Sequence, residues 1–142
     1  MTDIETTRVI FIQVNSASAK VQHIVQKAQT HFSRKERFLI IVDDDKAASY
    51  TDELLWHHTA EIFLPHAIYS SETQEWIAIT KEKKNINNAR YAFNLCSTPL
   101  LTQGSFRVIY DFDDATSPHK KNLSETRFEA YKQARFLIES TF

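Results

Sequence analysis

The sequence of 142 residues is long enough to form one domain around a buried core. Apolar residues make up 42% of it and charged residues 25%, as in an ordinary soluble protein, and a net charge of −1 gives no support for a strongly basic nucleic-acid-binding domain. Gly104 is the only glycine, which excludes a Walker A loop and a dinucleotide-binding fingerprint, because both need several glycines where the backbone approaches a phosphate.

The cysteine count and the hydropathy pattern indicate the compartment. Cys96 is the only cysteine, which rules out a disulfide within the chain and agrees with a reducing cytoplasm. No apolar run approaches the roughly 18–20 residues that span a membrane. Residues 1–7 are polar, have no signal-peptide core and are predicted to be flexible. We therefore expect a cytoplasmic protein without membrane contact.

The first half of the chain alternates predicted strands and helices, at residues 8–14, 17–32, 38–42 and 43–57. Residues 8–14 are a β-branched run typical of a buried strand. Ser16 is the predicted N-cap of the first helix, and the carboxylates at residues 43–45 suit the start of the second. This order predicts a parallel α/β core with right-handed crossovers.

The second half is predicted to hold strands at residues 75–80, 90–96 and 106–112, polar loops at 81–88 and 113–122, and a terminal helix at 123–138. The whole chain, residues 1–142, is predicted to be a single α/β domain. Its sheet is expected to be Rossmann-like, mixed but mostly parallel, and flanked by helices that include the C-terminal one.

Helical spacing divides the terminal helix into two faces. The predicted core face is narrow and apolar, and consists of Leu123, Ala130, Ala134 and Leu137. The other face combines an aromatic ring with cations, and consists of Lys121, Ser124, Phe128, Lys132 and Arg135, with Tyr131 between the two faces. Such a face suits an acidic and aromatic peptide, although a packed Phe128 beside solvated cations fits the residues equally well.

Three groups of residues could carry chemistry, and each has a simpler interpretation. His57 and His58 point about 100° apart on a helix, so they do not readily share a metal ion, while His66 is expected to fix a turn by hydrogen bonding. Cys96 lies in a strand pattern and is expected to be a small buried side chain rather than a nucleophile. Asp43 and Asp44 follow a strand, where ribose- or metal-binding acids occur, but a helix cap is the favoured role.

Residues 52–66 are the most informative segment, because two large aromatic residues, Trp56 and Phe63, occur there without any catalytic motif. Exposed aromatic residues often anchor a protein partner, although aromatic residues in such a position are also common in a core. The segment resembles the chi subunit of bacterial DNA polymerase III, whose family carries Leu-Asp-x-x-Leu-Trp followed by Phe-Leu/Val-Pro-His. Thr51 replaces the family's leucine before the aspartate. The resemblance implies that Trp56, Phe63 and Leu64 bind the psi subunit, which joins chi to the clamp loader.

The terminal helix resembles the same family, which has Arg-x-Arg-Tyr-Lys-x-Tyr-Arg where this chain has Glu125-Thr126-Arg127-Phe128-Glu129-Ala130-Tyr131-Lys132. In the family, this helix binds the acidic C-terminal tail of the single-stranded-DNA-binding protein. The resemblance assigns that role here to Lys121, Arg127, Phe128, Tyr131 and Lys132, with Arg135 as an added cation. Glu125 and Glu129 replace family cations and are expected to weaken the binding of a carboxylate-rich tail.

The resemblance implies a non-catalytic accessory subunit of the replicative polymerase, without cofactor or metal, monomeric on its own, and in contact with DNA mainly through its partners. Two alternatives remain open from the residues. One is a small Rossmann-like enzyme that binds a nucleotide or metal through Asp43, Asp44 and a histidine. The other is a chi-like adaptor for a DNA repair helicase.

Overall fold

The computed structural model describes residues 6–58, 64–102 and 105–141. These residues form seven strands and three helices, which are in chain order β1 (Arg8–Val14), α1 (Ala17–Ser33), β2 (Phe38–Ile41), α2 (Asp45–His58), β3 (Ala67–Ile68), β4 (Ile77–Thr80), β5 (Tyr91–Asn94), β6 (Val108–Asp114), α3 (Pro118–Gln133) and β7 (Leu137–Thr141). No helix within these ranges is long and apolar enough to cross a membrane.

The seven strands form one sheet in the order β3-β4-β2-β5-β6-β1-β7. Each pairing between neighbouring described strands is parallel, so the sheet has no antiparallel member where a mixed sheet was predicted. The α/β class, the mostly parallel sheet and the flanking helices are confirmed.

The sheet separates two apolar layers, because alternate side chains of a strand point to opposite faces. Phe38 and Ile40 of β2 pack with residues of α1 and α2. Leu39 and Ile41 of the same strand pack in the other layer, which includes Tyr131 of α3. Helices α2 and α3 therefore lie on opposite faces of the sheet.

The predicted caps of α1 and α2 are confirmed, whereas the predicted limits of the terminal helix are wrong. The Ser16 hydroxyl accepts a hydrogen bond from the Ala19 amide at 3.1 Å, and the Asp44 carboxylate accepts one from the Ala47 amide at 2.8 Å. Helix α3 begins at Pro118, with Ser117 as its N-cap, and ends at Gln133 rather than spanning residues 123–138. A serine followed by proline is a strong start signal, since proline suits the first helical position.

The predicted core face of the terminal helix is also wrong. The buried residues of α3 are Ser124, Arg127 and Tyr131, whereas Leu137 belongs to β7 and is 55% exposed. The side chains that hold this helix on the sheet are thus mainly polar, and the spacing of apolar residues does not identify a buried face of this kind. At the other end of the chain, Thr7 is fully buried and its hydroxyl donates to the Phe106 carbonyl at 2.7 Å. Thr6 is exposed, and residues 1–5 of the predicted flexible segment lie outside the described residues.

Candidate functional site

The last turn of α2 presents an aromatic surface to solvent. Trp56 is 50% exposed and Tyr50, two turns earlier on the helix, is 64% exposed. A shallow depression between them is bordered by Glu53 and His57 of α2 and reaches Val21 of α1. We call these exposed α2 residues, Tyr50, Glu53, Trp56 and His57, the Trp56 surface. Its exposed indole is the kind of residue that dominates protein interfaces.

Buried groups fix the position of Trp56. The His66 ring lies against the indole, with 4.2 Å between ring centroids. The His66 ring is buried, and its Nδ1 lies 2.7 Å from the Leu64 carbonyl while its Nε2 lies 3.2 Å from the Asp52 carbonyl. This geometry confirms the predicted turn-fixing role of His66. The ring contact with His66 also restricts the Trp56 side chain, which lowers the conformational entropy that it loses when a partner binds.

The other two residues predicted to contact the psi subunit are not on this surface. Leu64 is 1% exposed and packs in the core with Leu54 and Leu55 of α2. The structure therefore places Leu64 beneath the Trp56 surface, because its side chain continues the apolar layer under α2. Phe63 lies outside the described residues.

A buried polar network fastens α3 to the sheet. The Asp111 carboxylate of β6 accepts from Arg127 Nε at 3.1 Å, from the Tyr131 hydroxyl at 2.8 Å and from the Asn94 amide at 3.1 Å. Arg127 also donates to the Phe112 carbonyl at 2.9 Å, and the Tyr131 hydroxyl accepts from the Leu100 amide at 3.0 Å. Each buried polar group of the network has a partner, which is the condition under which such a network stabilises a fold.

The network is electrostatically coupled. Burial raises the pKa of Asp111 to about 6, against the opposing effects of the Arg127 charge and of the hydrogen bonds. Burial also raises the pKa of Tyr131, and the Asp111 charge adds to that rise. At neutral pH the network therefore contains an ionised Asp111 paired with Arg127 and a protonated Tyr131.

Two residues predicted to bind the acidic tail, Arg127 and Tyr131, thus lie inside the protein. Arg127 is 6% exposed and Tyr131 is fully buried. Their polar atoms face Asp111 and Asn94, which the sequence analysis did not single out as functional. The available signal was Asp111 itself, a carboxylate between Tyr110 and Phe112 in the middle of β6.

The exposed side of α3 carries the remaining predicted tail-binding residues. Phe128 is 37% exposed and its ring packs edge-on against Phe11, with 5.6 Å between centroids. Lys132 and Arg135 are exposed at the C-terminal end of the helix, whereas Lys121 near its start forms an ion pair with Asp113 at 2.7 Å. We call Phe128, Lys132 and Arg135 the α3 surface. Arg135 has a φ of 66°, the left-handed conformation that often follows the end of a helix.

Glu125 and Glu129 border the α3 surface on the same helix. Both are exposed, and neither forms an ion pair with another residue in the described part of the chain. Together with Phe11 and Phe128 they line a hollow of about 250 Å³. The surface therefore combines an aromatic ring, two cations toward one end and two carboxylates toward the other.

The residues considered for catalysis or metal binding have structural partners. Asp43 accepts a hydrogen bond from the Ser97 amide at 3.0 Å, and Asp44 caps α2. Cys96 is buried as predicted, with its Sγ 3.0 Å from Lys83 Nζ, and burial raises the pKa of its thiol against the effect of that lysine. Within residues 6–58, 64–102 and 105–141, no group of three or more histidine, cysteine, aspartate or glutamate side chains is arranged to hold a metal ion.

Comparison with known proteins identifies a family and a relative. The model of the family described as DNA polymerase III chi subunit, HolC, matches residues 6–139. DNA polymerase III subunit chi of Escherichia coli (strain K12) is 25% identical over 133 residues, which cover 89% of this chain and 88% of that protein. The family match includes α2, α3 and every strand of the sheet apart from the last residues of β7.

Proposed function

Since the chain belongs to the DNA polymerase III chi subunit family and so is an accessory subunit of that polymerase, we propose that it joins two other proteins through its two exposed aromatic surfaces. The observation that carries this proposal is the placement of Trp56 and Phe128 on opposite faces of the sheet. Partners bound at the two surfaces would not compete for the same residues.

The Trp56 surface is proposed to bind a psi-like subunit of the clamp loader. A half-exposed tryptophan held by His66 has the rigidity and the contact area of an interface anchor. Leu64 supports this anchor from the core, and Phe63 is proposed to extend the contact.

Binding of a psi-like subunit by wild-type protein and by Trp56→Ala in isothermal titration calorimetry tests this half of the proposal. Loss of an anchor residue costs about 2 kcal/mol or more, so Kd should rise at least roughly 30-fold. Trp76→Ala is the matched control, because Trp76 is also exposed, at 39%, but lies immediately before β4. Equal affinities for Trp56→Ala and wild type would refute the assignment.

The α3 surface is proposed to bind the acidic C-terminal tail of the single-stranded-DNA-binding protein. Phe128 offers a ring for an apolar tail residue, and Lys132 and Arg135 offer positive charge for its carboxylates. Arg127 and Tyr131 act as positioning residues, because their bonds to Asp111 hold α3 on the sheet. Lys121 is the weakest of the proposed contacts, since Asp113 already neutralises it.

Titration with a peptide ending in Asp-Asp-Ile-Pro-Phe tests the second half. Lys132→Gln should weaken binding by up to roughly fivefold, the effect of one exposed charge pair, and Phe128→Ala should weaken it more. Glu129→Gln should strengthen binding, because it removes a like charge. Lys46→Gln, an exposed lysine on α2, is the control for a general loss of positive charge. Binding that is insensitive to Phe128→Ala and Lys132→Gln would refute the assignment.

A further inference from the structure

The amino-terminal ends of the parallel strands gather three arginines and a tryptophan at one edge of the sheet. Strands β4, β2, β5 and β6 are neighbours in that order, and the residues that precede them are Trp76, Arg37, Arg90 and Arg107. The strands pair from their first residues, Phe38 with Ile77, Phe38 with Tyr91 and Tyr91 with Val108. The four preceding residues therefore occupy equivalent positions side by side. We call them the arginine row.

The geometry of the arginine row suits an extended ligand. Neighbouring strands are about 4.8 Å apart, so the backbone of the row extends over roughly 15 Å. At one end, the Arg37 guanidinium lies 5.2 Å from the centre of the Trp76 ring, and Trp76 remains 39% exposed. Further along, burial and the Glu36 carboxylate raise the pKa of Tyr91, and the charges of Arg107 and Arg90 oppose that rise.

Charges are paired at the carboxyl-terminal edge of the sheet, where each of four aspartates lies within 4 Å of a lysine. The pairs are Asp43 with Lys83, Asp45 with Lys81, Asp113 with Lys121 and Asp114 with Lys20. The amino-terminal edge also has carboxylates. Glu139 pairs with Arg8 at 3.5 Å, whereas Glu36 contacts His31 at 3.1 Å and keeps its charge, because burial lowers the pKa of His31. Glu75 is exposed next to Trp76. Arginine thus predominates where the strands begin.

A polar hollow of about 460 Å³ adjoins the arginine row. Gln74 lines it and accepts a hydrogen bond from Arg37 at 3.3 Å through its side-chain carbonyl. Asn88 and Ser105 also line it, two residues before Arg90 and Arg107 respectively. Amide and hydroxyl groups can donate to and accept from the edge of a nucleobase, and Glu72 is the one carboxylate among the described lining residues.

We propose that the arginine row binds single-stranded DNA. The guanidinium groups of Arg37 and Arg90 pair with phosphates, Trp76 stacks with a base, and the adjoining hollow accepts the polar edge of a base. Cationic grooves combined with aromatic platforms are the usual means of binding unpaired strands. An acidic peptide without aromatic residues would pair with the arginines but would leave the indole without a stacking partner. This site shares no residue with the Trp56 surface or the α3 surface.

The test uses the purified full chain and a fluorescent oligothymidine of about 12 nucleotides, with anisotropy as the readout. Two phosphate contacts, at Arg37 and Arg90, predict a slope of about −1.4 in log K against log salt, so affinity should fall roughly sevenfold from 50 to 200 mM salt. Arg37→Gln/Arg90→Gln should weaken binding more than about tenfold at low salt and remove most of that slope. Trp76→Ala should weaken it at least roughly fivefold with the slope unchanged.

Two controls make the test specific. Lys46→Gln/Lys120→Gln removes the same charge from exposed positions on α2 and α3 and should leave binding within about twofold. Leu101→Ala removes another large apolar side chain, which is 52% exposed, and should have no effect, and thermal melting of each variant verifies that it is folded. The proposal is overturned if wild type does not bind, if the lysine variant loses as much affinity as the arginine variant, or if polyglutamate of equal charge displaces the oligonucleotide equally well.

Discussion

Arg127→Met should destabilise the protein by about 3–5 kcal/mol, because it leaves the Asp111 carboxylate buried without its cation. The Arg127 side chain is 7% exposed and that of Asp111 1%, with Nε and Oδ1 3.1 Å apart. Methionine preserves much of the volume, so the loss of charge and hydrogen bonds dominates the effect. At about 2.1 cal/mol/K per residue, unfolding of 142 residues changes entropy by about 0.3 kcal/mol/K, which corresponds to a fall in Tm of roughly 10–17 °C.

Calorimetric and urea unfolding at pH 7.5 would measure this change, with Lys132→Gln as the control on the same helix. Because Lys132 is exposed, its substitution should alter the free energy of unfolding by no more than about 0.5 kcal/mol. Asp111→Asn in the Arg127→Met background should recover part of the loss, since it removes the unpaired charge while keeping an acceptor for Tyr131. A loss below about 1 kcal/mol, or a double variant less stable than Arg127→Met, would show that the buried pair is not what holds α3.

Three further changes follow from single observations. Burial raises the pKa of Asp111 from 3.8 to about 6, so its protonated form contributes stability that is full below about pH 4 and is lost as pH rises through 6. The urea midpoint should therefore fall as pH rises from about 4 to about 6, and Asp111→Asn should remove this dependence on pH. Arg135→Gly should raise the free energy of unfolding by about 0.5–1 kcal/mol in thermal unfolding, because Arg135 has a φ of 66°, which glycine adopts without steric cost. The same change should weaken binding of the acidic peptide in calorimetry. Ser117→Ala should lower the free energy of unfolding by about 1 kcal/mol, since the Ser117 hydroxyl accepts from the Lys120 amide at 3.1 Å.

Local patterns predicted the first half of the fold well. The β-branched run of β1 was predicted at its observed bounds, Arg8–Val14, because a buried central strand has an unmistakable composition. Ser16 and Asp44 were predicted as helix starts, since capping depends only on residues within one turn. The Trp56 surface was found through its motif. The motif contains both Trp56 and Leu64 and does not indicate that Trp56 is exposed whereas Leu64 is buried.

Polar contacts between residues far apart in the sequence were not predicted. The core face of α3 was predicted from apolar spacing, yet the helix is held by Arg127 and Tyr131 on Asp111, a partner on β6. A buried arginine looks like an exposed one until its carboxylate is located in space. The arginine row was missed for the same reason, because its members are far apart in sequence and meet only through the strand order.

The weakness of the α3 surface has a consequence for an accessory subunit. Glu125 and Glu129 beside the α3 surface oppose an acidic tail, so the proposed contact there is modest by itself. The proposed contact at the Trp56 surface lies on the opposite face of the sheet and the arginine row at its edge, which leaves all three accessible at once. Linked contacts raise effective concentration, so their combined strength can exceed a single one by about 10²–10⁴. A subunit built in this way would hold its partners together only when several are present, and would release any one of them readily.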